Sequence, residues 1–299
     1  MRECWSHLHC RMASSTPYFA YGSNLDAGDW AQHCGSRGVD PAGLRDLEPA
    51  WLIDHRLEFD YESPSREGGA ADVVPGKLGQ AVPGALMELD QRGIEAMDRK
   101  EGHPTIYKRR LISVSTLDGT THKVETYCVT SGLRSAEFVA PTDKYVGLLR
   151  GGLEQRGLPT THLDAAMRGL NSSGHSIGHI FVYGTLLPGE CRNAHLLGYD
   201  PSEDRVAEAT ADLVHLGGFP GLIPGSGTVR GVLYTFSDPA PALVSLDQIE
   251  GFSPGQPSLF RRVVLQVQTK EGQEWAWAYV YDGAGGVPLP GGDWLEVAR

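Results

Sequence analysis

Two glutamates of this chain are each followed directly by glycine, as Glu101-Gly102 and Glu250-Gly251. Each follows a segment with helical character and precedes a strand-like run. A carboxylate in such a place can enter a pocket, where partial desolvation raises its pKa toward that of a working acid and base. The alternative for either glutamate alone is a surface carboxylate beside a helix-ending glycine. Because both halves of the chain carry the Glu-Gly pair at the same position of the repeat, the acid–base interpretation is favoured.

A glycine turn precedes each glutamate in the chain. The first is Tyr21-Gly22-Ser23-Asn24-Leu25 and the second is Tyr183-Gly184-Thr185-Leu186, each after a short apolar run. Successive backbone N–H groups in such a turn bind carboxylates or phosphates through their oriented dipoles. Glycine permits close approach of a ligand, and the Ser23 or Thr185 hydroxyl adds a donor. One such turn is weak evidence of a site, but its recurrence with the glutamate predicts an anion-holding turn in each half.

The turns and glutamates belong to a repeat that organises the chain. Five elements recur in one order, which indicates two related domains. The matched segments are 18–25 with 180–187, 82–87 with 229–234, 97–102 with 246–251, 107–110 with 260–262 and 124–129 with 275–280.

Short β runs alternate with one or two helices in each half. In the run 111–115, Ile112 and Val114 alternate with Ser113 and Ser115 as in a half-buried strand. Residues 263–267 are more continuously apolar and β-branched, which suits a buried strand. Residues 241–249 have helical character, which places Glu250 at a helix end. With 38 glycines and 19 prolines, the chain has many turns and short strands. The sequence predicts a sheet-dominated α+β fold.

Composition shifts predict the domain boundaries. We expect a disordered leader over residues 1–16, in which Met12 could be the true start, and domains over 17–170 and 179–299. The polar, glycine-rich composition of residues 171–178 predicts a linker. A helical tail over 144–170, broken at 157–159, belongs to the first domain alone.

The linker contains Gly174-His175-Ser176-Ile177-Gly178, which has the form of a hydrolase nucleophile elbow. That motif needs a strand before the serine and a helix after it. Here a polar linker precedes the serine and a strand follows, so we interpret the segment as linker.

Charge and cysteine usage limit the partners. The net charge of −11 argues against nucleic acid, because an acidic chain repels phosphate backbones. The five cysteines show neither disulfide nor zinc spacing, which predicts a reducing cytoplasm. Residues 4–10 hold two cysteines and two histidines, for which a frayed terminus is favoured over a metal site. No stretch is apolar enough to span a membrane, and we expect no metal and no membrane partner.

The ordered motifs closely resemble those of a known family. Residues 21–25, Glu101-Gly102 and Tyr107 resemble the γ-glutamyl cyclotransferases, as does the tail with Tyr145 and residues 157–159. The second half is similar to the γ-glutamylamine cyclotransferase branch. The resemblance covers about residues 17–282 and implies two small mixed β-barrels with flanking helices, acting without cofactor on a small-molecule γ-glutamyl substrate.

The reaction implied by the resemblance is a cyclising cleavage of a C–N bond. The α-amine of a γ-glutamyl group attacks its own γ-carbonyl, which forms 5-oxoproline and releases an amine or amino acid. The resemblance makes Glu101 and Glu250 the acid–base catalysts. It assigns binding of the glutamyl group to the two turns and Tyr145, that is, to Tyr21, Gly22, Ser23, Asn24, Leu25, Tyr145, Tyr183, Gly184, Thr185 and Leu186.

Several roles stay open at this point. Tyr145 serves either the substrate or helix packing, and Tyr107 either the pocket wall or the core. Leu186 replaces Asn24 and the second half has no tyrosine-bearing tail, so we expect a more open second pocket. Trp275 and Trp277 share one strand face, where core packing is favoured over the pocket.

Other classes of function remain as alternatives. The chain could bind or sense γ-glutamyl metabolites without turnover, only one of its domains could be active, or it could be a structural partner in a biosynthetic complex. Nothing in the sequence selects the γ-glutamyl compound or the oligomeric state.

Overall fold

A computed structural model of the chain describes residues 15–169 and 175–297. The predicted leader, except for its last two residues, and the first four residues of the predicted linker lie outside the described residues. The cysteines and histidines of residues 4–10 lie outside them too. The domain boundaries therefore stay a prediction.

A closed barrel of five strands forms the N-terminal domain, in the order β1-β5-β2-β6-β7. Neighbouring strands are antiparallel except β7 and β1, which close the barrel in parallel. Strands β3 and β4 form a separate hairpin between β2 and β5 in the chain. The strands are β1 (Thr16–Ala20), β2 (Leu44–Ile53), β3 (His55–Ser63), β4 (Gly68–Pro75), β5 (Ala81–Leu89), β6 (Tyr107–Thr116) and β7 (Thr121–Val129).

Four α-helices flank this barrel within the described residues. The predicted tail forms two of them, with the break at Gly157, whose φ of 65° suits glycine. The helices are α1 (Ala27–Gly35), α2 (Gln91–Glu101), α3 (Asp143–Glu154) and α4 (Thr161–Ala166).

The C-terminal domain repeats the barrel. Its strands follow the order β8-β10-β9-β11-β12, the β12–β8 contact is again parallel, and strand β13 adds to the edge of β9. The elements are β8 (His179–Val182), α5 (Ala194–Leu197), β9 (Glu203–His215), β10 (Pro220–Thr235), α6 (Ala240–Glu250), β11 (Phe260–Gln268), β12 (Gln273–Tyr281) and β13 (Val287–Pro288). The predicted α+β fold with two tandem barrel domains is confirmed.

A glycine in the same place of both barrels shows how closely the two repeats agree. A Cβ on Gly84 would lie 2.2 Å from the carbonyl oxygen of Ala20, and one on Gly231 would lie 2.2 Å from that of Val182. Phe19 and Phe181 close over these positions from the neighbouring strand. Any side chain here would collide with backbone, so both glycines are required by the barrel.

One hydrophobic core extends through both domains. Trp51 of β2 and Trp275 of β12 meet with ring centroids 5.1 Å apart. Trp277 is fully buried, and its indole N–H donates to the carbonyl of Ile177 at 3.0 Å. Trp275 and Trp277 therefore pack in the core, and neither lines the cavity beside Glu250.

Within residues 15–169 and 175–297, no helix is both long and apolar enough to cross a membrane. Among the same residues, no cluster of His, Cys, Asp and Glu side chains is placed to hold a metal ion. The three cysteines described there, Cys34, Cys128 and Cys191, are free thiols. The cytoplasmic location stays a prediction.

Candidate active site

The N-terminal turn and the first glutamate meet at one small cavity. Its volume is about 30 Å³, and its wall brings together most of the residues singled out in the first half of the sequence. Leu25 is the exception, because it is fully buried beneath the turn, where its N–H donates to the Gly22 carbonyl at 3.0 Å. The lining residues are Tyr18, Tyr21, Gly22, Ser23, Asn24, Ala71, Glu101, Tyr107, Tyr127 and Tyr145.

Glu101 is the last residue of α2, which presents its carboxyl to the turn. Asp90 caps the start of the helix, where its side chain accepts from the Gly93 N–H, and Gly102, with a φ of 61°, caps the end. The Asn24 amide donates to Glu101 Oε1 at 2.8 Å and to the Tyr18 hydroxyl at 2.9 Å. Asn24 thus contacts the proposed acid–base group itself.

Burial raises the pKa of Glu101 above its usual range. The positive charges of Lys100 and Arg66 and the hydrogen bond from Asn24 oppose this rise, because each favours the ionised carboxylate. Burial therefore raises the pKa of the Glu101 carboxyl, and its charged and polar neighbours limit that rise.

Three charged residues beside this site were not predicted from the sequence. Arg66, in the β3–β4 turn, donates to the Ser23 hydroxyl at 2.8 Å and makes a two-point ion pair with Asp29. Lys100 donates to Asp29 at 2.7 Å and to Asn24 Oδ1 at 2.5 Å. Although burial opposes it, the two cations lower the pKa of Asp29. The network holds the turn against α1 and α2.

Two tyrosine hydroxyls meet the backbone of Ala71 on the opposite wall. The Ala71 N–H donates to the Tyr145 hydroxyl at 3.2 Å, and the Tyr107 hydroxyl donates to the Ala71 carbonyl at 3.1 Å. Burial raises the pKa of Tyr145 to about 12. Both tyrosines are buried and also line the cavity, so each one packs in the core and forms part of the cavity wall.

The second glutamate lies at a larger cavity of about 160 Å³. Glu250 ends α6, followed by Gly251 with a φ of 66°, as Glu101 ends α2. All four residues of the second turn, Tyr183 to Leu186, line the cavity. The rest of the wall is mainly apolar, and consists of Phe181, Val182, Arg192, Phe219, Pro220, Ile249, Leu259, Phe260 and Tyr279.

The tyrosine of each turn is held in the same way. The Tyr21 hydroxyl donates to the Tyr127 carbonyl at 2.5 Å, and the Tyr183 hydroxyl donates to the Tyr279 carbonyl at 2.7 Å. Tyr183 also accepts from the Leu222 N–H at 3.2 Å, in the manner of Tyr145 at Ala71. One tyrosine in the C-terminal domain therefore makes the contacts that two tyrosines make in the N-terminal domain.

Burial raises the pKa of Glu250 to about 7, and the nearby Arg192 guanidinium opposes this rise. Leu186 stands where Asn24 stands in the first site, so it offers no amide donor to this carboxyl. Asn193 instead donates to the Leu186 carbonyl at 2.8 Å and fixes the turn. Arg192 and Asn193 were not predicted, because they lie outside the segments that repeat.

The arrangement can act in acid–base chemistry. Each carboxyl has a raised pKa and lies beside a turn that closes at a glycine. Cations border both cavities, Arg66 and Lys100 in one and Arg192 in the other. Such a site suits a small anionic substrate from which a proton must be taken and to which it must be returned.

Parts of the chain are similar to known proteins. A curated relative from Niallia circulans, named gamma-L-glutamyl-butirosin B gamma-glutamyl cyclotransferase, is 36% identical over 107 residues, which is 35% of this chain and 67% of that protein. The gamma-glutamylcyclotransferase family protein YtfP of Escherichia coli K12 is 31% identical over 122 residues, 39% of this chain and 96% of that protein. A solved structure of a gamma-glutamyl cyclotransferase is 24% identical to this chain, with a TM-score of 0.43. The match covers 50% of this chain and 85% of that chain.

The family match follows the repeat. The model of the family described as gamma-glutamyl cyclotransferase, AIG2-like, matches residues 18–145 and again residues 180–296. These two regions contain all but the first residues of each barrel, with both turns and both glutamates. The chain is therefore a tandem member of the gamma-glutamyl cyclotransferase, AIG2-like family.

Proposed function

We propose that the chain releases 5-oxoproline from γ-glutamyl compounds, with Glu101 and Glu250 as the general acid–base groups of two sites. The single observation that supports this most is the pairing, in both domains, of a glycine turn with a helix-ending glutamate of raised pKa. Family membership supports a cyclotransferase in general, and the geometry supports this mechanism.

The proposed reaction is intramolecular. The carboxylate of the glutamate takes a proton from the substrate α-ammonium, and the freed amine attacks the γ-carbonyl carbon. The new C–N bond closes the ring while the bond to the leaving nitrogen breaks, and the glutamate returns its proton to that nitrogen. The second proton that the attacking nitrogen loses on becoming the lactam N–H passes to the released amine, which leaves as an ammonium. The enzyme mainly has to hold the glutamyl chain curled, since oriented intramolecular reactions reach effective molarities of about 10⁵–10⁸ M.

The turns would hold the α-carboxylate of the substrate. In the N-terminal site this task falls to residues 21–24 with Arg66 above Ser23, and in the C-terminal site to residues 183–186 with Arg192 nearby. Tyr145 would close the first site over the glutamyl chain. Leu25 would act from beneath, by closing the turn onto Gly22.

The two sites would differ in the amine they release. The second cavity is about 160 Å³ against about 30 Å³ for the first, and its wall is largely apolar, with Leu186, Phe219 and Leu259 among its members. We expect it to accept γ-glutamyl compounds with larger, less polar leaving groups. The small first cavity would admit the glutamyl end only after Arg66 and Tyr145 move.

The test is release of 5-oxoproline from a panel of γ-glutamyl amino acids, γ-glutamyl amines and glutathione. Glu101→Gln and Glu250→Gln are compared singly and together, because glutamine keeps the size and loses the proton transfer. We expect each change to reduce the release of its own site by about 10²–10⁴-fold. Full activity in the double variant would contradict the assignment of the glutamates.

A second candidate function is catalysis by the C-terminal domain alone, with the first domain as a binding module. The small volume of the first cavity, about 30 Å³, and the Arg66–Asp29–Lys100 ion pairs that hold its turn in place favour this candidate. It predicts that Glu250→Gln alone removes all release, while γ-glutamyl compounds still bind the N-terminal site. Binding without any release from the wild-type chain would instead support a sensing module.

A further inference from the structure

Arg262 of β11 joins the C-terminal site to the other domain through charged groups. Its side chain is fully buried. The two terminal nitrogens donate to both carboxylate oxygens of Asp54 at 3.1 and 2.8 Å, and Nε donates to Asp247 Oδ1 at 3.0 Å. Asp54 belongs to the N-terminal domain, at the turn between β2 and β3. The arginine therefore bridges a carboxylate from each domain.

Hydrogen bonds continue from Asp247 to the cavity wall. The Tyr279 hydroxyl donates to the same Asp247 oxygen at 2.6 Å. The backbone carbonyl of Tyr279 accepts from the Tyr183 hydroxyl at 2.7 Å. Tyr279 and Tyr183 both line the cavity with Glu250. An unbroken series of contacts thus leads from Asp54 to the glycine turn of the C-terminal site.

The N-terminal site has the same series of contacts, but all of its residues belong to the N-terminal domain. The Tyr127 hydroxyl donates to Asp98 at 2.7 Å, and Arg109 Nε lies 3.4 Å from that carboxylate. The outer partner of Arg109 is Glu125 of the same barrel at 3.1 Å, and the two side chains are 33% and 32% exposed. Only the C-terminal series takes its outer carboxylate from the other domain and buries its arginine.

Asp54 is fixed firmly enough to serve as an anchor. Its N–H donates to the Gln80 carbonyl at 2.8 Å, its carbonyl accepts from the Gly76 N–H at 2.8 Å, and its φ is 56°. Arg262 also packs on the ring of Trp277, with its guanidinium carbon 5.0 Å from the centroid. A guanidinium buried this deeply needs both carboxylates, because losing one partner leaves an uncompensated charge.

We propose that Asp54 is a positioning residue for the C-terminal active site. Acting through Arg262 and Asp247, it holds Tyr279 in place in the cavity wall. The Tyr279 carbonyl in turn holds the glycine turn at Tyr183. The inference rests on the proposed function of that site. It makes the N-terminal domain a part of the C-terminal catalytic geometry, in addition to any turnover of its own.

The test uses the full chain with Glu101→Gln, so that 5-oxoproline release reports the C-terminal site. Asp54→Asn removes the charge while keeping a residue that tolerates the left-handed conformation, and Asp54→Gly removes the side chain without backbone strain. We expect kcat to fall about tenfold or more while KM changes less than about twofold, because a displaced wall reduces the fraction of curled substrate. Glu125→Gln is the matched control, and it leaves C-terminal kcat unchanged.

A second measurement does not depend on turnover. In chains labelled with fluorotyrosine, the NMR signal assigned to Tyr279 by Tyr279→Phe moves in Asp54→Asn and stays in place in Glu125→Gln. If kcat and the Tyr279 signal both match the parent chain, Asp54 positions nothing, even if thermal stability falls. If the wild-type chain releases no 5-oxoproline, the proposed function fails, and the Tyr279 signal alone still decides whether Asp54 positions the wall.

Discussion

Glu101 and Glu250 occupy the same place in two copies of one barrel, yet their surroundings differ. Glu101 accepts from Asn24 and lies beside Lys100 and Arg66, whereas Glu250 faces a largely apolar wall with Arg192 nearby. Burial raises the pKa of both carboxyls, but the first rise is opposed by two cations and an amide. The backbone of the repeat thus places the carboxyl, while loops and single side chains set its acidity and the space around it.

The largest expected effect tests whether the barrels are equivalent. Gly231→Ala places a Cβ against the Val182 carbonyl, as Gly84→Ala does at Ala20, and we expect each change to lower the free energy of unfolding by about 3 kcal/mol. Urea unfolding of the full chain measures this. Gly218→Ala, which meets only open space, is the control. Tolerance of alanine at one position alone would show that the repeats differ in backbone.

The next effect concerns the charged network of the first site. Arg66→Met removes the donor to Ser23 and one partner of Asp29, so the turn loses its fixed position. In a Glu250→Gln chain we expect release to fall about a hundredfold, as misplacement by about 1 Å can cost. Arg45→Met, at an ion pair whose arginine is 67% exposed, is the matched control. Unchanged release would remove Arg66 from the site.

A smaller effect is the pH dependence of the second site. As a base, Glu250 must be ionised, so release by a Glu101→Gln chain should rise as the pH increases through about 7. Its raised pKa also means that the stability from burying it neutral is present at low pH and is lost as the pH rises through that value. The kcat/KM profile from pH 5 to 9 checks the first point. A flat profile would contradict the base assignment.

The finest test exchanges one side chain between the sites. Leu186→Asn introduces an amide where Asn24 donates to Glu101, and a hydrogen bond to the charged form lowers a carboxyl pKa. We expect the C-terminal pH profile to move toward acid by about one unit. Asn24→Leu should move the N-terminal profile the other way. Leu187→Met, beside the exchanged position, controls for repacking, and parallel shifts in both sites would contradict the explanation.

How much was predictable depends on whether a residue belongs to the repeat. The turns, the glutamates at helix ends and the helical tail with its break were all predictable, because each recurs or follows local rules of capping and periodicity. Arg66, Arg192 and Asp54 were not, since they lie outside the segments that repeat. Their partners are distant in sequence, and only the folded chain brings the charges together.

The meeting of Trp51 with Trp275 has a consequence for how the molecule unfolds. One hydrophobic cluster contains side chains of both barrels, and a second cluster lies within the C-terminal barrel alone. Separating the barrels would expose two indole rings and leave the buried Arg262 without Asp54. We therefore expect heat to melt both halves in one cooperative transition, and a chain cut in the linker to stay assembled until it melts.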